Sequence, residues 1–247
     1  MDAGWINYLF DQYEFPYHLL TDAEVKAGRL HDRFDVIVLP DQSASSIIEG
    51  HTKGTMPPDF VGGISTDGVD NLKAFVLDGG SLVCNSGSCG LPIEQFRFPI
   101  KNVLKDVKPD SFSCPGSLLK MDYNTDHPLT FGMQKRGIAF FSRDIAFEII
   151  RDSVKAEPKE EKKPETKKKP PEEKPKYVKV TPQIVATFPD EALLISGWIL
   201  GDKVIREKAA ILDVPFGKGK VILFGFNVQN RAQTHATFKL LFNALYY

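Results

Sequence analysis

Asp67-Gly68-Val69-Asp70-Asn71-Leu72-Lys73-Ala74-Phe75-Val76-Leu77-Asp78-Gly79-Gly80-Ser81-Leu82-Val83-Cys84 is the stretch on which the fold turns. Asp67 can cap a helix whose apolar residues Val69, Leu72, Phe75 and Val76 recur at helical spacing. Gly79 and Gly80 close it, and residues 81–84 then read as a buried strand. Upstream, residues 34–39 carry the run Val36-Ile37-Val38-Leu39, too continuous in its apolar character for a half-exposed strand. Strand, helix, strand in this order predicts a parallel sheet with crossover helices, an α/β class.

Outward from this unit, residues 2–13 place Trp5, Leu9 and Tyr13 one helical turn apart, with Asp2 as N-cap and Pro16 as the stop. Residues 17–20 suggest a short strand and residues 22–30 a helix, and a Gly- and Ser-rich loop follows Leu39. Between residues 98 and 150 short apolar clusters alternate with Pro109, Pro115, Gly116, Pro128 and Gly132, a pattern of strands and turns. Residues 209–215 and 220–226 flank Phe216-Gly217-Lys218-Gly219, which predicts an antiparallel hairpin. Phe238, Leu241, Phe242 and Leu245 then mark one face of a final helix that Thr234 can cap. The resulting expectation is a flavodoxin-like, open, mainly parallel sheet with flanking helices and an antiparallel hairpin near the C-terminus. Such a sheet usually begins with a strand that feeds the first helix, so the expected first strand is missing ahead of residue 1.

Within 247 residues, 42% apolar side chains are ample for a packed core. Residues 155–176 contain nine Lys, six Glu and five Pro and cannot bury enough apolar surface to offset ordering entropy. They divide one α/β domain into a first part, 1–154, and a closing part, 177–247, around a disordered insert. A formal net charge of -1 provides no global basic field, so nucleic acid is not an expected partner. No apolar run approaches the roughly 18 residues of a membrane helix.

Reactive chemistry has few footholds. Cys84-Asn85-Ser86-Gly87-Ser88-Cys89-Gly90 follows a strand and precedes the short helix start around Pro92, where a nucleophile elbow would sit. Cys89 and Ser86 are the candidate nucleophiles, yet Gly87-Ser88-Cys89-Gly90 is one residue short of Gly-x-Cys-x-Gly, and a structural turn explains the same residues. His235 is the candidate base, but Thr237 stands where an orienting Glu would be needed. Asn227, Gln229, Arg231 and Gln233 form a polar cluster that reads as a ligand-binding rim or as a solvated loop. The five histidines are scattered and Cys84 and Cys89 miss the Cys-x-x-Cys spacing, so no metal ligand or other cofactor is expected in this chain. Gly79-Gly80 ends a helix, whereas a phosphate loop must open one.

Three stretches, Met1-Asp2-Ala3-Gly4-Trp5, Phe34-Asp35-Val36-Ile37-Val38-Leu39-Pro40-Asp41-Gln42, and residues 219–245, resemble the C-terminal region of bacterial zinc carboxypeptidases of the carboxypeptidase A type. That region is similar to class I glutamine amidotransferase-like domains. The resemblance implies zinc in an upstream peptidase domain of the same polypeptide, an extracytoplasmic location, and a triad placed near Ser86, Cys89 and His235. The leading expectation is a non-catalytic accessory domain of such a peptidase. A cysteine-dependent amidase and a carbohydrate- or ligand-binding module are the alternatives.

Overall fold

The computed structural model describes residues 1–58, 61–151 and 177–247. The Lys/Glu/Pro-rich insert at 155–176 lies outside the described residues. In chain order the elements are α1 (Asp2–Gln12), α2 (Asp22–Ala27), β1 (Val36–Leu39), α3 (Ala44–Glu49), α4 (Ser65–Asp78), β2 (Ser81–Asn85) and α5 (Gly90–Gln95). They continue as β3 (Ile100–Asn102), β4 (Ser117–Tyr123), β5 (Arg136–Phe141), β6 (Phe147–Ile149), β7 (Gln183–Thr187) and β8 (Leu194–Ser196). β9 (Ala209–Phe216), β10 (Gly219–Phe224), α6 (Asn230–Gln233) and α7 (His235–Tyr246) complete the chain.

Ten strands form one sheet whose main path runs β1-β2-β10-β9-β7-β4-β5, with β3 on β6, β6 on β9 and β8 on β4. The expected β1-α4-β2 unit is present, with Val36 opposite Ser81 and Leu39 opposite Cys84 in parallel register. The β9–β10 hairpin is also present, Gly219 facing Phe216 across a turn in which Gly217 takes φ +66. A Cβ at Gly217 would lie 2.6 Å from the Leu77 Cα, so this turn is built for glycine twice over.

The mainly parallel character is corrected by the structure. Among the ten strands only β1–β2 and β2–β10 pair in parallel, and every other strand-to-strand pairing is antiparallel. Parallel neighbours need a crossover of a dozen or more residues, and the turn-rich sequence between Phe98 and Ile150 supplies hairpins instead. The sheet is thus mixed, with helices on both faces.

Its two faces carry separate cores. Ile6, Leu9 and Phe10 of α1 and Phe238, Leu240 and Leu241 of α7 pack on Val83, Ile222 and Phe224. On the opposite face Leu72, Phe75 and Val76 of α4 pack on Leu82, Cys84, Val221 and Leu223. The alternation Leu82/Val83/Cys84 and Val221/Ile222/Leu223 between faces is the period-two signature of a strand covered on both sides. Each fully buried Phe or Leu contributes about 1.5–3 kcal/mol, so these layers dominate stability.

Smaller expectations also change. Residues 17–20 form no strand, while Thr21 and Glu24 make a reciprocal capping box that starts α2. Met1, not Asp2, occupies the N-cap of α1, and Asp67 lies in the first turn of α4 rather than capping it. Thr234 is at the N-cap of α7, but its hydroxyl donates to the Val228 carbonyl at 3.0 Å instead of capping. The Ser-rich loop after β1 contains α3, started by Ser43 Oγ accepting from the Ser46 N–H at 3.1 Å.

At the start of β10, a buried polar cluster ties α7 to the sheet. His127 Nε2 stands 3.3 Å from Asp213 Oδ2, close enough for charge attraction although not aligned as a hydrogen bond. Tyr247 donates its hydroxyl to the same Asp213 oxygen at 2.9 Å, and Lys220 Nζ lies 3.3 Å above the Tyr247 ring. Burial depresses the His127 pKa, opposed by Asp213.

Candidate functional site

β2 ends on Asn85, and the next residue, Ser86, turns the backbone to φ +45 before one 3-10 turn (Ser86–Cys89) leads into α5. A left-handed conformation at a residue other than Gly costs on the order of 1–2 kcal/mol, so neighbouring bonds must hold it. They do. The Asn85 N–H donates to Ser88 Oγ at 2.9 Å, Asn85 Nδ2 donates to the Leu39 carbonyl at 3.2 Å, and the Gly87 N–H donates to Asp41 Oδ1 at 2.9 Å. This is a strand-to-helix elbow at the carboxyl end of a central parallel strand, the place where open α/β sheets bind ligands.

Ser86, not Cys89, occupies the strained position. Its hydroxyl donates to Asp144 Oδ1 at 2.6 Å, and Asp144 Oδ2 accepts the Ser142 N–H at 2.7 Å. Burial pushes the Asp144 carboxyl up to about 7, against the lowering effect of those two donors, and the nearby Asp41 charge adds to the rise. Asp41 is itself raised, first by burial and further by Asp2, while the Gly87 N–H works the other way.

Cys89 faces the core. It has no exposed surface, and its Sγ points at the Phe224 and Cys84 carbonyls at 3.2 and 3.5 Å. Burial, with Cys84, Asp41 and Asp144 nearby, drives its thiol well above the usual range, opposite to what a thiolate nucleophile requires. His235, the first residue of α7, is exposed and lies against Phe238 with ring centroids 4.8 Å apart. No described hydrogen bond joins it to Ser86 or Asp144, so the elements of a triad are not brought together.

Two clefts meet above the elbow and share Asp41, Asp144 and Pro115. One, of ≈ 760 Å³, is lined by Ser43, Gly87, Lys105, Phe112 and Arg143 among others. The second, of ≈ 630 Å³, is walled by Asp2, Ser142, Asn227, Arg231 and Gln233. Three of the four rim residues expected from sequence, Asn227, Arg231 and Gln233, therefore do line a cleft. Gln229 does not; it is fully buried, and neither side-chain polar atom has a partner among the described residues. A larger hollow of ≈ 1010 Å³ adjoins the first cleft; it mixes Ile93, Phe98, Ile100, Ile145 and Ile150 with Glu94, Arg97, Lys101, Lys105 and Asp106, and it lacks the buried carboxylates of the elbow.

Asp41 and Asp144 were not legible as site residues. The apolar run Val36–Leu39 is an edge strand in which only Ile37 is buried, not the fully buried strand its composition suggests, and a carboxylate two residues after it is a usable signal for Asp41, since loops at strand carboxyl ends carry ligands. Asp144 has no local signal, because only the tertiary fold brings it 2.6 Å from a serine 58 positions away. Among the described residues, no group of three or more His, Cys, Asp or Glu is placed to hold a metal ion.

No family model matches the chain, and no curated protein matches it in sequence. Its fold is similar to that of the cytoplasmic protein STM3548 from Salmonella typhimurium, with a TM-score of 0.52 and 13% identity over 99% of this chain and 86% of that one. It is also similar to a ThuA-like protein from Bacteroides uniformis, with a TM-score of 0.50 and 8% identity over 99% of this chain and 80% of that one. At such identities the likeness concerns the fold alone. The chain therefore shares a mixed α/β fold with these proteins, and nothing in these likenesses links it to a carboxypeptidase.

Proposed function

We propose that this chain is a non-catalytic amidotransferase-like domain that binds a small polar ligand in the double cleft above the elbow. One observation carries the reading: the atoms an elbow would use for covalent catalysis are already committed. Ser86 Oγ is bound to Asp144, the Gly87 N–H that would meet an oxyanion is bound to Asp41, and the only thiol of the elbow is turned into the core. A serine beside a carboxylate without an intervening imidazole lacks the proton shuttle of a triad. What remains is a polar, partly enclosed cleft of ligand size.

Attachment to an upstream zinc carboxypeptidase module, and with it an extracytoplasmic location, rests on the three sequence stretches alone. The reading is tested by incubating the chain with p-nitrophenyl esters, glutamine and small peptide amides. No turnover above the Ser86→Ala variant is expected. Turnover that Ser86→Ala or Cys89→Ala abolishes would overturn it.

A further inference from the structure

We infer that the chain forms a two-fold dimer in which β5 of one copy adds antiparallel to β5 of the other, joining the two sheets. β5 (Arg136–Phe141) ends the path of the sheet and pairs only with β4. The register decides which of its backbone groups stay free. Tyr123 donates its N–H to the Lys135 carbonyl at 2.8 Å, and the antiparallel ladder repeats every second residue, so Gly137, Ala139 and Phe141 are the residues bonded to β4. Arg136, Ile138 and Phe140 turn their N–H and carbonyl groups outward, and none of these groups has a partner among the described residues. Ile138 is 41% exposed, whereas Ala139 and Phe141 are fully buried on the core face. Proteins blunt such edges with proline, bulges or lysine. β5 has no proline and no bulge against β4, and its only charged residue is Arg136 at its first position.

A second copy is the occupant that the strand itself specifies. A two-fold axis through Ile138 sets Ile138 against Ile138 and Arg136 against Phe140, so every open residue meets an open residue and each pair exchanges two hydrogen bonds. The one cation of the strand then lies beside an aromatic ring. Asp122 on β4 already holds that cation along the strand face, Arg136 Nε donating to Oδ1 at 2.9 Å. Moving the axis to Arg136 opposes like charges. Moving it to Phe140 draws the partner strand over Ser142 and Asp144, where the Ser142 N–H is already given to the Asp144 carboxylate. Axes through Gly137 or Ala139 leave one open residue of each copy opposite a residue outside β5. Phe140 also lines the second cleft, so the pairing through Ile138 sets Arg136 of the second copy at that cleft's wall.

The test is sedimentation equilibrium of the full chain, for which twice the 27.6 kDa of one copy is expected. Ile138→Pro probes the ladder directly. The Ile138 N–H bonds nothing within the chain, so proline on this edge leaves β4–β5 intact and removes the two central hydrogen bonds between copies. It should raise the dissociation constant about tenfold or more. Ile138→Lys, which opposes two ammonium groups across the axis, should do the same. Ile138→Cys keeps the test usable if either variant fails to fold. The three native thiols are buried, and residues of a hydrogen-bonded antiparallel pair stand about 5.5 Å apart at Cα, within disulfide reach. Mild oxidation should therefore give a covalent dimer that a reducing agent splits. A monomer at every concentration, a dimer that Ile138→Pro and Ile138→Lys leave unchanged, or open-ended growth in place of a closed dimer would overturn the inference.

Discussion

Ser86 donates its hydroxyl to Asp144 Oδ1 at 2.6 Å from a backbone held at φ +45. Strain and a buried charge-assisted hydrogen bond therefore meet in one residue, and the two can be separated by mutation. Ser86→Ala and Ser86→Gly both delete the donor, leaving Asp144 short of one bond, at about 1–3 kcal/mol. Only Gly also relieves the left-handed backbone. Urea unfolding should find Ser86→Gly more stable than Ser86→Ala by about 1 kcal/mol, the reverse of the usual order in ordered structure. Ala equal to or better than Gly would remove the strain from the account.

Asp144 should imprint a pH slope on stability. Its folded pKa, about 7, stands above the ordinary carboxylate value of 3.8, so the native state binds more protons than the unfolded state between these values. Stability must then fall as pH rises from about 4 to 7, by up to about 4 kcal/mol from this group. Asp41, also raised, acts with the same sign. Glu24, held down to about 2 chiefly by the Thr21 N–H and by Arg33, acts oppositely and only at lower pH. Asp144→Asn can keep its oxygen on the Ser142 N–H and donate to Ser86 Oγ, so it should flatten the slope and gain stability at pH 8. A slope unchanged in this variant would contradict the assignment.

All three thiols are buried, and burial raises each of them. Ellman's reagent at pH 7.5 should titrate essentially no thiol in the native chain and three after denaturation. Fast labelling of Cys89 in folded protein would reopen the thiol mechanism.

Asp213 accepts from Tyr247 and faces His127 with 1% exposure. Asp213→Ala leaves the His127 ring and the Tyr247 hydroxyl facing a cavity and removes the anion beneath Lys220. A loss of about 2–4 kcal/mol in denaturant unfolding is expected, with increased hydrogen exchange in α7. A loss under about 0.5 kcal/mol would mean that α7 is held by its apolar face alone.

Local periodicity made the α4–β2 unit, the β9–β10 hairpin and the face of α7 readable, because each is specified within twenty residues by spacing and by glycine. The mixed character of the sheet was not readable in the same way. β4 pairs with β5, β7 and β8, and β9 with β6, β7 and β10, choices made by long-range packing rather than by any single strand. At the site, the turn between Cys84 and Gly90 announced an elbow, but its register did not follow from the search for a Gly-flanked cysteine. The backbone placed the strain three residues earlier, on Ser86, where the side chain reaches Asp144. Asn227, Arg231 and Gln233 were legible as a polar cluster after the last strand, while burial of Gln229 beneath them was not.

The central claim is that the elbow is closed to covalent chemistry, and intact-mass spectrometry after treatment with a fluorophosphonate probe tests it most directly. The account predicts an unmodified mass at pH 6 and pH 8, because the Ser86 hydroxyl is held by Asp144 and the adjacent N–H by Asp41. A stoichiometric adduct that maps to Ser86 would contradict it and make the chain a serine hydrolase.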